Sequence, residues 1–171
     1  MKKIIIAVIL AVAGFGMASA QKFAMVDMEY ILRNVPAYEM ANEQINQFSQ
    51  RWEKEVNQLS QEAETMYQNY QSDMVFLTDD QKKKREEAIV AKEKEVTDLR
   101  YKYFGPEGEL FKKRQSLMQP IQDDVYNAVK AVAEEQGYQA IFDRASSQAI
   151  VFATPRIDVS NQVLAKLGYS K

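Results

Sequence analysis

The side chains most able to do chemistry in this sequence are two carboxylate pairs, Asp123-Asp124 and Glu134-Glu135, and one basic run, Lys82-Lys83-Lys84-Arg85. A carboxylate pair can perform acid–base catalysis or hold a metal only if both groups converge, and adjacent residues on a helix point about 100° apart. Each pair therefore reads as surface charge. The chain has no Cys and no His, which removes the commonest general base, metal ligand and thiol nucleophile together. Zinc sites and His-dependent triads are excluded by inventory, and no GxxxxGK[ST] phosphate loop occurs. The sequence therefore implies neither an enzyme nor a cofactor. The basic run can meet lipid headgroups or acidic polypeptide; with Glu86 and Glu87 following at once, a solvated helix start is an equal reading.

The remaining candidates are apolar. Met66, Tyr67, Tyr70, Met74, Phe76 and Leu77 crowd one stretch, where Met offers adaptable packing and Tyr offers area with a polar edge. Met66, Tyr70, Met74 and Leu77 continue a helical stripe and are expected mostly to form a helix–helix seam. Tyr67 and Phe76 lie off the stripe and are the stronger candidates for contact with another polypeptide.

These residues need long helices to hold them. Apolar positions at Ala41, Ile45, Phe48, Trp52, Val56, Leu59, Ala63, Met66, Tyr70, Met74 and Leu77 keep the α-helical period of about 3.6 with no Gly or Pro between them. Pro36 suits the first turn. Thr78 and Gln81 match a capping box, so one helix ends and another begins near Thr78. The spacing predicts an antiparallel hairpin with its tip there. Residues 36–80 carry 2 basic and 9 acidic groups and residues 81–114 carry 11 and 7, a charge contrast that favours the pairing. Gly105-Pro106-Glu107-Gly108 should break the returning helix, opposite Trp52, which would pack into the space the glycines leave. Gly137 suits a left-handed helix cap.

Both chain ends carry short apolar runs. Phe23, Met25 and Val26 form one, Ile141 and Phe142 the second, Ile150, Val151 and Phe152 the third. The last two read as a β-hairpin, and all three as a three-stranded sheet under a short C-terminal helix whose cap is Asp158 or Ser160. A body of about 50 to 60 residues without disulfides is marginal alone, so assembly with further copies is expected.

The start of the chain reads as a signal peptide: Lys2 and Lys3, an apolar run too short to span a bilayer, and Ala18-Ser19-Ala20. Cleavage after Ala20 would leave 151 of the 171 residues, exported and with a charge of about −4, which argues against nucleic acid as a partner. Residues 21–35 and 137–171 then make the body, and 36–136 the arm.

Signal peptide, FAMVDMEYIL, two long polar helices, AVAEEQGYQAIFD, AIVFA and IDVSNQVLAKLG follow one another here as in the Skp (OmpH-like) family of periplasmic chaperones, which the mature chain resembles over its whole length. The resemblance implies an α+β, mostly α fold, a tentacle-like hairpin projecting from a small β-rich trimerisation body. It also implies a homotrimer whose central cavity holds unfolded outer-membrane proteins; the export signal and the missing phosphate loop make this an ATP-independent holdase, and the basic run adds weak membrane-surface contact. The best-known relatives are strongly basic and this chain is weakly acidic. The alternative from the residues alone is an exported coiled-coil adaptor docking on one fixed envelope partner.

Overall fold

The computed structural model describes residues 21–147 and 150–169. The expected signal peptide lies outside the described residues. The chain divides into two compact units: residues Val35–Asp124 form one, and the residues before and after them form the other. The division falls inside a helix, so the last turns of the arm as expected from sequence belong to the body unit.

The arm unit begins with α2, Pro36–Asp73, preceded by α1, Met28–Arg33, of the body unit. Pro36 opens α2 at the position where its missing N–H costs nothing. With 38 residues, α2 is about 57 Å long at 1.5 Å per residue. A 3₁₀ turn, Met74–Phe76, ends it, and α3, Asp79–Phe104, returns from there. Thr78 caps α3: its hydroxyl accepts from the Gln81 N–H while the Gln81 side chain accepts from the Thr78 N–H at 2.9 Å. Asp79 and Asp80 place negative charge at the positive helix end. The seam buries Val56, Ala63, Val96 and Tyr103, with Trp52, Leu59 and Leu99 packed against them.

Residues 105–108 interrupt the return as expected, and α4, Glu109–Gln136, follows. The glycines serve the backbone rather than Trp52. A Cβ on Gly105 would stand 2.4 Å from the Tyr101 carbonyl oxygen, and one on Gly108 would stand 2.8 Å from that of Tyr103. Both distances are impossible for a real side chain. Trp52 instead stacks on the ring of Tyr103.

In the body unit, β1, Phe23–Val26, pairs in parallel with β2, Ala140–Asp143, Met25 opposite Phe142. Alternation along β1 buries Ala24 and Val26 and leaves Phe23 outward. The core adds Ile31, Val125, Ala128 and Val132 to Val159, Val163 and Leu164 of the C-terminal region, where α5 spans Ser160–Lys166. Gly137, at φ 71, ends α4 in a left-handed cap in which the Tyr138 N–H reaches the Ala133 carbonyl.

Two expectations fail here. Among the described residues, 150–153 form no strand: Ile150 is half-buried, and Val151 and Phe152 are 97% and 83% exposed. The sheet therefore has two strands and no β-hairpin. The reason is competition for β1's free edge, where Met25 bridges to Asp158 and its carbonyl accepts from the Val159 N–H at 2.8 Å. Nor does Asp158 or Ser160 occupy the N-cap position of α5, which is Val159, although the Asp158 carboxylate accepts from the N–H of Ser160, the first residue of that helix, at 2.9 Å. The Ser160 hydroxyl is occupied otherwise, accepting from the Asp27 N–H and donating to Asp158.

Candidate functional site: the arm tip and its apolar surface

At the tip, the change from α2 to a 3₁₀ turn takes Met74, Val75 and Phe76 off the seam. Val75 is 77% exposed and Phe76 85%. Leu77 stays half-buried and closes the turn. Tyr67, one face away from the stripe on α2, is also exposed.

The other candidates divide by their seam position. Tyr70 is buried, and its hydroxyl donates to Glu86 of α3, an interaction that raises the phenol's pKa, with desolvation adding to it. Tyr70 thus belongs to the seam rather than to the open surface. Met66 is half-buried and lines a groove of about 350 Å³ with Asn69, Asp73, Arg85, Ala88 and Ile89. Met74, continuing the stripe in sequence, is 43% exposed because the helix tightens beneath it.

Pairs joining the two helices run along the hairpin at matched distances from the tip. Arg85 donates to Asp73 at 2.7 Å, Lys92 to Glu62 at 3.3 Å, and the Tyr103 hydroxyl to Glu55 at 2.8 Å. Lys92 also pairs with Glu95, and these two carboxylates, Glu95 first, raise its pKa. In the ion pairs the acid stands on α2 and the base on α3, as the charge contrast requires. Exposed pairs are worth under about 1 kcal/mol each; their effect is to fix register. The basic run is half committed: Lys82 pairs with Asp79 and Arg85 with Asp73, while Lys83 and Lys84 make no ion pair among the described residues. With five acidic groups from Asp73 to Glu87, the tip is not a strongly basic surface.

Surfaces the sequence reading missed lie on α3 and α4. Val90, Tyr101 and Phe104 are exposed, as are Phe111 and Tyr126. On α3, Val90, Tyr101 and Phe104 lie within a narrow arc and well away from the arc of Ile89, Val96, Leu99 and Tyr103 that forms the seam. The signal was available as a second helical stripe, hidden by the charges between its members.

The assembly candidates separate in the same way. Val26 is buried and Met25 and Ile141 are half-buried, while Phe23 and Phe142 are 45% and 48% exposed with ring centroids 6.0 Å apart. Beyond β2, Arg144 bridges Asp27 at 3.0 Å and Asp158 at 3.7 Å.

A parallel two-stranded sheet made from both chain ends, joined to a capped antiparallel hairpin, defines a class of protein with long helical arms. The chain belongs to the family of outer membrane proteins described as OmpH-like, whose model matches residues 22–167. A solved structure from Caulobacter crescentus CB15, provisionally described as an OmpH-like outer membrane chaperone, shares the fold. Its TM-score is 0.71 at 12% identity, over 88% of this chain and 86% of that one. No curated protein matches the sequence.

Proposed function

We propose that this protein is a periplasmic holdase chaperone, which binds unfolded outer-membrane proteins without nucleotide and keeps them from aggregating. The observation that carries the reading is the tip turn, which holds Val75 and Phe76 in water, the most exposed of the apolar side chains that the arm leaves outside its seam. Contiguous exposed apolar side chains on a well-packed scaffold mark an interaction site. Met66 and Met74 add side chains that adapt to varied partners, and Tyr67 adds exposed aromatic area. Affinity would come from many weak contacts repeated over several arms, and the family's description as outer membrane proteins, with a structural relative described as an outer membrane chaperone, supports the choice of client.

Several arms require several copies. The two-stranded sheet, the outward Phe23–Phe142 pair and the exposed Val151 and Phe152 supply an unfilled apolar surface of the kind that a homotrimer would cover, since an isolated two-stranded sheet is marginal in water.

The test is light scattering of an outer-membrane β-barrel protein diluted from urea, with no nucleotide present. Residues 21–171 should suppress aggregation at about one trimer per client, and the Val75→Ser, Phe76→Ser variant should protect less at equal helicity. No protection at several-fold excess would overturn the reading and favour an adaptor with one fixed partner.

A further inference from the structure

The break at 105–108 interrupts only one of the two helices that pass it. On the other side α2 runs on without a gap, and an aromatic cluster of α2 reaches both edges of the break. Trp52 stacks on Tyr103, two residues before Gly105, with centroids 5.0 Å apart and planes at 9°. Phe48 packs on Trp52 at 5.3 Å, and the Lys113 ammonium, beyond the break on α4, lies 4.6 Å from the centre of the Phe48 ring. The Tyr103 hydroxyl donates to Glu55 of α2. No i→i+4 ladder crosses 105–108; the turn is held by the Gly105 N–H on Tyr101 and the Gly108 N–H on Gly105.

Two unbroken paired helices resist bending, because a bend must stretch one ladder and compress the other. With one ladder interrupted, α2 can curve and the pair can pivot at the gap. What then sets the angle is whatever ties α3 and α4 to α2 at that point. We propose that Phe48, Trp52, Tyr103 and Lys113 form an aromatic latch that holds a pivot at residues 105–108 in one setting. Release of the Trp52–Tyr103 stack lets the tip-side half of the hairpin swing against the half below it. The latch is a property of the hairpin itself and does not depend on which client, if any, is bound.

The chain's lack of cysteine makes the test clean. Spin labels on Lys94→Cys and Arg114→Cys, exposed positions on either side of the break, are read by pulsed dipolar spectroscopy, the labelled chain diluted into excess unlabelled chain to exclude distances between copies. The parent should give one narrow distribution. Trp52→Ala should broaden it roughly twofold or add a second distance, Trp52→Phe should restore the narrow one, and Lys113→Met, which removes only the contact beyond the break, should broaden it partway. Distributions for Trp52→Ala and Lys113→Met as narrow as the parent's, and centred at the same distance, would overturn the latch. If Trp52→Ala loses helicity, the Lys113→Met result decides alone.

Discussion

The two units solve the same problem differently. In the hairpin, the tip-side stretch of α2 finds its partners on α3 at matched distances from the tip: Val56 and Ala63 share one cluster with Val96 and Tyr103, and Glu55, Glu62 and Asp73 meet Tyr103, Lys92 and Arg85. In the body, polar groups close well while part of the apolar surface does not. Asp27, Arg144, Asp158 and Ser160 tie three segments together, yet Phe23, Phe142, Val151 and Phe152 remain in water. The small domain thus completes its polar part and leaves part of its aromatic surface open, the surface that further copies would cover under the proposed function.

The sharpest way to break this contrast is to make the open surface polar. Phe142→Ser with Phe152→Ser should abolish the proposed trimer in native mass spectrometry while the isolated chain loses little, since exposed positions usually move stability by no more than about 0.5 kcal/mol. The same change at an assembly contact costs roughly 2 kcal/mol or more in each subunit when the side chain is a hot spot. A parent that is monomeric at micromolar concentration, or a double variant that still assembles, would remove the contrast.

A smaller effect, confined to the hairpin, is expected from the glycines at its break. Gly108→Ala would drive a methyl against the carbonyls of Tyr103 and Lys102 and the N–H of Gly105. The cost should be about 2 kcal/mol, the range for overpacking a site that cannot yield, read as a lower melting temperature. Ala substitution at Asn57, exposed on α2, should by comparison be neutral or slightly stabilising, because Ala is the best helix former and Asn a poor one. If Gly108→Ala were equally silent, the break would not be held by backbone contact.

The same contrast explains what could be read from sequence. The hairpin was legible because its determinants are local: an unbroken 3.6-residue period over Ala41–Leu77, a capping box at Thr78 and Gln81, and a Gly-Pro break. The body was legible only in part: its first two strands, the Gly137 cap and the last helix stand where expected, but their pairing and the fate of the third run depend on long-range contacts. Ile150–Ala153 has the composition of a strand, yet β1's free edge goes to Asp158 and Val159, fixed by a serine that bonds to a backbone 133 residues away. Nothing in the run itself announces that competition. The tip residues show both sides at once. Tyr67 and Phe76 are separable from the seam by periodicity, whereas the exposure of Met74 and Val75 depends on a tightening into 3₁₀ geometry that no period reveals.

The smallest expected effect concerns acid, and it distinguishes the units without any apolar substitution. Asp27 is held below its ordinary pKa of 3.8, first by the N–H of Tyr30 and then by Arg144, against some desolvation. For Asp143, burial alone would raise the pKa, but hydrogen bonds from the Ser146 side chain and from the N–H groups of Met28, Ala145 and Ser146 outweigh it and the net shift is downward. A carboxyl whose pKa falls on folding adds stability that is complete above its unfolded value, and that stability is lost as the pH drops through the folded one. The window is therefore below about pH 4, and the two aspartates both lie in the body. Between about pH 5 and pH 3 the chemical-denaturation midpoint of the body, followed by Tyr or ¹H–¹⁵N signals of residues 23–31, should fall more than that of Trp52 in the hairpin. Asp27→Asn should abolish part of the difference and Arg144→Met a smaller part, because the Tyr30 N–H and not the guanidinium is the larger influence on Asp27. Parallel loss of both signals across that range would mean that the units do not titrate separately and that the polar closure of the body contributes nothing of its own.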